Sequence, residues 1–165
     1  LIVRIDRPSR LRPVLLALTA IMLGMGSRPE DTEHLWRPIE QTTTTQEERI
    51  AIAPWILSEQ QIVLNASLLN RLRALTEPVP TGIRLDLTAD LSEPLTIDER
   101  KPGPLSTIVV TGHLPRTPRS DVTLVLNGPT VAGVIRLDKR LFRIHAAGNG
   151  EHRLIEVDSD KLPPD

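Results

Sequence analysis

The C-terminal third of the chain is a succession of short β-branched runs separated by turn-forming residues. Between residues 107 and 157, stretches rich in Val, Ile, Leu and Thr alternate with Pro, Gly, Asn and Asp. Runs of this length, bounded in this way, are typical of a small antiparallel β-domain. This segment therefore favours a mainly β fold more strongly than any other part of the chain.

Apolar and polar residues alternate in several of these runs, as they do in strands that bury one face. The predicted strands cover residues 60–65, 82–87, 95–100, 107–114, 121–126, 130–137, 141–146 and 152–157. Asn127 and Gly128 supply the positive φ that a tight hairpin needs. The regular spacing of turn signals predicts a small antiparallel β-sandwich or a rolled sheet with one short helix.

The one predicted helix covers residues 66–75, where the apolar side chains recur with helical spacing. Asn65 or Ser67 would cap its N-terminus, because both side chains accept hydrogen bonds from free backbone N–H groups. Pro78 and Pro80 would end it, since proline cannot continue a helix.

The N-terminus has the three parts of a secretory signal peptide in the expected order. Basic residues dominate the first twelve positions, an uncharged apolar run covers residues 13–26, and Gly24 and Gly26 provide small side chains for cleavage. The apolar run is shorter than the roughly 20 residues of a membrane span. We therefore predict a signal peptide over residues 1–26, a secreted or periplasmic protein, and no stable membrane span after cleavage. A signal anchor and a buried core helix are the alternatives.

Three further segments follow the predicted signal peptide. Residues 27–55 are rich in Pro, Thr and acidic side chains and have little apolar periodicity, which predicts a flexible linker. Of its two tryptophans, Trp55 is expected to dock on the domain rather than Trp36. Residues 56–158 form the predicted β-rich domain, and residues 159–165 are a tail or a linker to a further domain.

Composition excludes several classes of function. The chain has no cysteine, which excludes disulfides, cysteine zinc ligands and a thiol nucleophile. Its formal net charge is −1, and no basic stripe with interleaved aromatics occurs, so nucleic acid is not an expected partner. Only two Trp and one Phe are present, too few for the aromatic platforms of a carbohydrate-binding module.

No catalytic or metal-binding motif is apparent. His113 and His145 fall in strand patterns and could meet as a two-histidine metal site, but surface histidines are the simpler interpretation. Neither a zinc-binding HExxH helix nor a Gly-x-Ser-x-Gly elbow occurs. Ser120 is interpreted as a turn residue, and the acidic residues between positions 86 and 99 as a solvated strand face. The sequence thus predicts no catalytic residue, no cofactor and no metal ligand.

Five segments resemble a known family when they are taken in order. They are residues 110–114, 120–124, 131–135, 141–144 and 150–158, followed by Leu162, Pro163 and Pro164. As an ordered set they resemble the N-terminal propeptide of secreted bacterial reprolysin-like zinc metallopeptidases, over roughly residues 59–165. The catalytic domain of that family is absent from these residues, so the chain is not expected to be an enzyme by itself.

The resemblance implies a domain that helps its protease to fold, inhibits it, or does both. The implied partner is a zinc metalloprotease domain, in cis or in trans. The acidic tail could lie along the cleft of that domain, which makes Asp158 and Asp160 candidate partner-binding residues; a solvated linker is the alternative. Rival hypotheses are a secreted β-sandwich module that binds carbohydrate or a cell surface, and a hydrolase of unrecognised type.

Overall fold

The computed structural model describes residues 32–39 and 54–161, in which a single sheet accounts for most of the chain. The strands are β1 Glu33–His34, β2 Trp36–Pro38, β3 Ile56–Leu64, β4 Ile83–Thr88, β5 Leu91–Pro102, β6 Ile108–His113, β7 Ser120–Asn127, β8 Thr130–Leu137, β9 Arg140–Gly148 and β10 Glu151–Val157, and the helix α1 is Ala66–Arg73. Their order across the ten-stranded sheet is β1-β4-β5-β6-β7-β8-β9-β10-β3-β2. The predicted mainly β class with one short helix is confirmed.

The sheet rolls up because one short segment belongs to both of its ends. Strand β1 pairs with β4 in parallel, and β2 pairs with β3 antiparallel. Only Leu35 separates β1 from β2 along the chain. We call residues 32–39 the strap, since this segment joins the two ends of the sheet and closes it into a barrel-like fold. The rolled sheet, rather than the sandwich, is therefore the observed architecture.

The interior of the barrel is aliphatic and follows the alternation of the strands. On β4 and β7, every second residue is buried and its neighbours face outwards. The buried members are Ile83, Leu85, Leu87, Val122, Leu124 and Leu126. Phe142 of β9 and Trp36 of the strap are both fully buried among them. Removal of this apolar surface from water is the main driving force for the fold.

Helix α1 connects the end of β3 to the start of β4 and packs into the barrel through Leu68, Leu69 and Leu72. The Asn65 side chain accepts a hydrogen bond from the Leu68 N–H at 3.1 Å, so Asn65 is the N-cap and not Ser67. The helix ends at Arg73, earlier than predicted and well before Pro78. We call the end of the barrel that carries α1 the lower end.

Two glycines of the β7–β8 hairpin are required by geometry. Gly128 has a φ of 55° and begins the two-residue loop between the paired residues Asn127 and Thr130. A Cβ at Gly133 would lie 2.4 Å from the Thr123 carbonyl oxygen, so only glycine permits this close approach of β8 to β7.

The strap lies within the segment that the sequence predicted to be a linker. Trp36 is 0% exposed, whereas Trp55 is only half-buried, so the expectation that Trp55 would be the docked tryptophan is wrong. The predicted signal peptide, residues 27–31 and 40–53 of the predicted linker, and residues 162–165 lie outside the described residues. Within residues 32–39 and 54–161, no helix is long and apolar enough to cross a membrane.

Candidate functional site

A groove opens at the upper end of the barrel, opposite α1. The β4–β5, β6–β7 and β8–β9 connections meet at this end because successive strands run in opposite directions. The groove has a volume of about 530 Å³. Its lining comes from two strand connections and the start of β5, namely Leu91, Glu93, Thr117, Arg119, Leu137, Asp138, Lys139 and Arg140.

Charged groups of both signs line this upper groove. Glu93 pairs in register with the inward-facing Leu85, so its side chain points into the barrel. Its Oε2 atom is enclosed and has no hydrogen-bond partner within the described ranges. Arg119 and Lys139 form no ion pair with any residue that the structure describes. The groove therefore combines apolar side chains with Glu93, Arg119 and Lys139, which form no ion pair with described residues, and a mixed lining of this kind can accept a polypeptide segment.

Arg140, at the edge of the groove, is already engaged. Its Nε donates to Glu156 Oε1 at 2.6 Å and its Nη2 donates to Glu156 Oε2 at 3.1 Å. The guanidinium also lies over the Phe142 ring, 5.0 Å from the ring centre. The hydrogen bond with Glu156 raises the pKa of Arg140 above its ordinary value. Arg140 thus holds β9 to β10 and leaves ligand contacts to its neighbours.

The chain leaves the barrel at the same upper end. The Asp158 N–H donates to the Trp55 carbonyl at 2.7 Å, which fixes the start of the tail. The Asp158 carboxylate accepts from the Asp160 N–H at 3.1 Å and pairs with the Lys161 ammonium at 3.0 Å. The hydrogen bond from Lys161 lowers the pKa of Asp158. Of the two predicted partner-binding residues, Asp158 is therefore engaged within the tail, and Asp160 is exposed.

The two histidines of the hypothetical metal site are not adjacent. His113 Nδ1 lies 2.9 Å from an Asp98 oxygen at the outer surface of the barrel. His145 is exposed on β9, and strands β7 and β8 separate it from β6. Within the part of the chain that the structure describes, no group of three or more acidic or histidine side chains could hold a metal ion.

The predicted turn role of Ser120 is confirmed. Its Oγ accepts from the Leu114 N–H at 2.8 Å and donates to the Thr117 carbonyl at 2.7 Å. The hydroxyl thus closes the β6–β7 connection that forms one wall of the upper groove.

Three polar interactions were missed by sequence reasoning. His34 Nδ1 lies 2.6 Å from Asp86 Oδ2, and Glu33 pairs with Arg71, so the strap is tied to both β4 and α1. His152 is 2% exposed, and its Nε2 accepts from the Val131 N–H at 3.0 Å. Only His152 had a signal in the sequence: it precedes Leu154 by two residues and therefore shares its buried face.

Comparison with known proteins finds curated relatives of one kind. A Peptidyl-Asp metalloendopeptidase of Stenotrophomonas maltophilia strain R551-3 is 30% identical over 142 residues, which cover 85% of this chain and 30% of the relative. A second Peptidyl-Asp metalloendopeptidase, from strain K279a, is 42% identical over 48 residues, which cover 29% of this chain and 11% of that protein. No family model matches the chain, and no solved structure matches it.

These matches define the chain as a metallopeptidase-related protein of mainly β fold. The chain spans less than a third of the length of the curated relatives that it matches.

Proposed function

We propose that this chain is a propeptide-like domain that assists the folding of a secreted zinc metalloprotease, inhibits it, or does both, and that it is not catalytic by itself. The observation that carries the proposal is the asymmetry of the match. The similarity to a metalloendopeptidase covers 85% of this chain and only 30% of the relative, so most of that protein has no counterpart here. A separate module attached to, or acting on, a protease domain would account for this asymmetry.

The proposed mode of action is surface recognition. A domain of this kind needs a preformed face for its partner rather than a reactive group, and a preformed face loses little entropy on binding. The upper groove and the adjoining tail provide charged and apolar groups at one end of the barrel. Asp160 is the better placed of the two tail carboxylates to approach the partner, because Asp158 already pairs with Lys161.

The proposal includes export. Residues 1–26 would act as a signal peptide, and the domain would work in the periplasm or outside the cell. The basic residues of the first twelve positions and the apolar run that follows them support this part of the proposal.

The test is to mix the chain without residues 1–26 with a Peptidyl-Asp metalloendopeptidase from Stenotrophomonas maltophilia and to measure proteolysis. We expect proteolysis to fall as the molar ratio of the domain rises, or more active protease to be recovered when it is refolded with the domain present. An Asp160→Asn variant measures the contribution of the tail. Unchanged proteolysis at excess domain together with unchanged recovery would contradict the proposal. Binding on a glycan array under those circumstances would favour the alternative, a binding module.

A further inference from the structure

A protruding loop at the lower end of the barrel carries the most exposed large apolar side chain of the described residues. The loop covers residues 103–107, between β5 and β6, and we call it the Leu105 loop. Leu105, at its tip, is 91% exposed. Its backbone has a φ of 54° and a ψ of 38°, and Ser106 follows with a φ of 61°.

Two unfavourable features therefore coincide at one residue. A leucine in the left-handed region is sterically strained, and a second strained residue follows it directly. An isolated leucine in water also forgoes the benefit of burial. Glycine or asparagine would fit this backbone with less strain and would expose no apolar side chain. Backbone strain of this kind occurs at functional sites more often than elsewhere.

Hydrogen bonds within the loop support this shape. The Gly103 N–H donates to the Thr107 carbonyl at 2.8 Å, which closes the base of the loop. Within it, the Thr107 N–H and the Thr107 hydroxyl both donate to the Pro104 carbonyl, at 3.1 and 2.7 Å. Pro102 and Pro104 restrict the backbone on the N-terminal side of Leu105. These interactions constrain the backbone that carries Leu105 at the tip.

Other exposed apolar side chains lie at the same end of the barrel. The guanidinium of Arg100, two residues before Pro102, donates to the carbonyls of Ala74 at 3.2 Å and Glu77 at 2.6 Å. These bonds hold the stretch after α1 beside the end of β5. Leu75 and Val79, in that stretch, are 40% and 44% exposed. Leu105 is therefore the most exposed of three apolar side chains at the lower end.

We propose that the Leu105 loop is a contact through which this barrel binds its protease partner, with Leu105 seated in an apolar pocket on the protease domain. The inference rests on the proposed function, which supplies the partner. A hydrogen-bonded loop with one apolar anchor suits a protein pocket, because anchors of this kind dominate binding energies and internal hydrogen bonds reduce the backbone freedom that is lost on binding. An anionic membrane would require a cluster of free cations, whereas Lys101 beside the loop is paired with Glu99 at 3.1 Å.

The geometry also sets how the loop meets the protease. Its left-handed residues are not extended, so it cannot add to the edge of a substrate-binding cleft as a strand. We therefore expect the loop to remain uncut in the complex.

The test uses single variants of the chain without residues 1–26 and the same Stenotrophomonas maltophilia Peptidyl-Asp metalloendopeptidase as above. Surface plasmon resonance measures the binding of each variant, and a proteolysis assay measures its effect on activity. Leu105→Ala should raise the dissociation constant about tenfold or more, as expected for an interface anchor. Leu105→Met should bind within about threefold of the wild type, because it keeps an apolar side chain of similar volume. Val63→Ala is the control, since Val63 is 56% exposed on β3, outside both the Leu105 loop and the lining of the upper groove, and it should bind as the wild type does.

A Leu105→Gly variant separates binding from folding. It should unfold at the same urea concentration as the wild type or a higher one, because glycine relieves the strain, yet it should bind as weakly as Leu105→Ala. Equal affinity of the wild type and Leu105→Ala for the protease would overturn this inference, and so would cleavage of the loop by the protease. Either result would leave the proposed function standing. A wild-type chain that neither binds the protease nor alters proteolysis would refute the proposed function itself.

Discussion

His152 is the buried ionisable side chain of the described core. Since its Nε2 accepts from the Val131 N–H, the ring proton must lie on Nδ1 in the neutral form. No described residue meets the ordinary distance and angle limits of a hydrogen bond to Nδ1, so this buried donor has at most a weak interaction with the Gly150 backbone. Burial lowers the pKa of His152, against the opposing effect of the Gly150 backbone, and the charge of His145 lowers it further. The barrel therefore favours a neutral ring at this position.

A consequence is a loss of stability in mild acid. The ordinary pKa of histidine, about 6.5, applies to the unfolded chain, and the folded value is lower. As the pH falls below about 6.5, the unfolded chain takes up a proton at this position that the folded chain does not, so the free energy of unfolding decreases until the pH reaches the folded pKa. Urea unfolding at a series of pH values should show this decrease.

Two variants identify the histidine responsible. His152→Gln should reduce the decrease that sets in below about pH 6.5, whereas His145→Gln, at an exposed position, should retain most of it. An equal pH dependence in His152→Gln and the wild type would contradict the assignment.

Among the elements of the fold, the strap contributes more to the core than its length of eight residues would suggest. It contributes Leu35 and Trp36 to the core, both 0% exposed. The Trp36 indole N–H donates to the Asp86 carbonyl at 2.7 Å, and the Leu35 N–H donates to the Arg84 carbonyl at 2.9 Å. The eight residues of the strap thus add two large side chains to the interior and also donate hydrogen bonds to backbone carbonyl groups of β4.

Replacement of Trp36 by alanine should therefore cause a large decrease in the free energy of unfolding. Removal of a buried tryptophan costs about 3–5 kcal/mol, a large part of the stability of a small domain. Chemical denaturation should be used to compare Trp36→Ala with Trp55→Ala. Because Trp55 is only half-buried, its replacement should reduce the free energy of unfolding much less. A loss of less than about 1 kcal/mol for Trp36→Ala would mean that this side chain of the strap contributes little to the stability of the barrel.

Local signals explain which elements were predictable from sequence. The bounds of β8, Thr130–Leu137, were predicted at both ends, because Gly128 and Pro129 precede the strand and Asp138 and Lys139 follow it. Strand β5, Leu91–Pro102, is longer than the predicted residues 95–100, and it includes Pro94 and Pro102, although proline is rare inside strands. The strap was missed because β1 and β2 have only two and three residues, too few for a periodic pattern.

At the scale of the whole molecule, closure could not be predicted because it depends on contacts between distant residues. Trp36 and Asp86 are 50 positions apart, and Ser58 and Glu156 are 98 positions apart. The upper groove was missed for the same reason. Its walls come from β5, the β6–β7 connection and the β8–β9 turn, which are neighbours only once the sheet has rolled up. Sequence patterns indicated the strands but not which strand ends would meet.

Truncation tests the closure of the barrel. A chain of residues 40–165 lacks the strap, so β3 and β4 each lose a partner and the core loses Trp36. We expect a lower melting temperature and association through the exposed strand edges, measured by thermal denaturation and size-exclusion chromatography. A chain of residues 27–165, which keeps the strap, is the control. Equal melting temperatures and monomeric behaviour for the two chains would show that the barrel closes without the strap.

The pairing of β3 with β10 has a consequence for synthesis on the ribosome. Ile62 of β3 pairs with His152 of β10, so about 90 residues must be added after β3 before its partner exists. At the usual rates of translation this takes roughly 5–20 seconds. Throughout that interval the nascent chain presents an unpaired edge with Leu57 and Val63 exposed beside it, and this is the stage at which a chaperone would have most to protect.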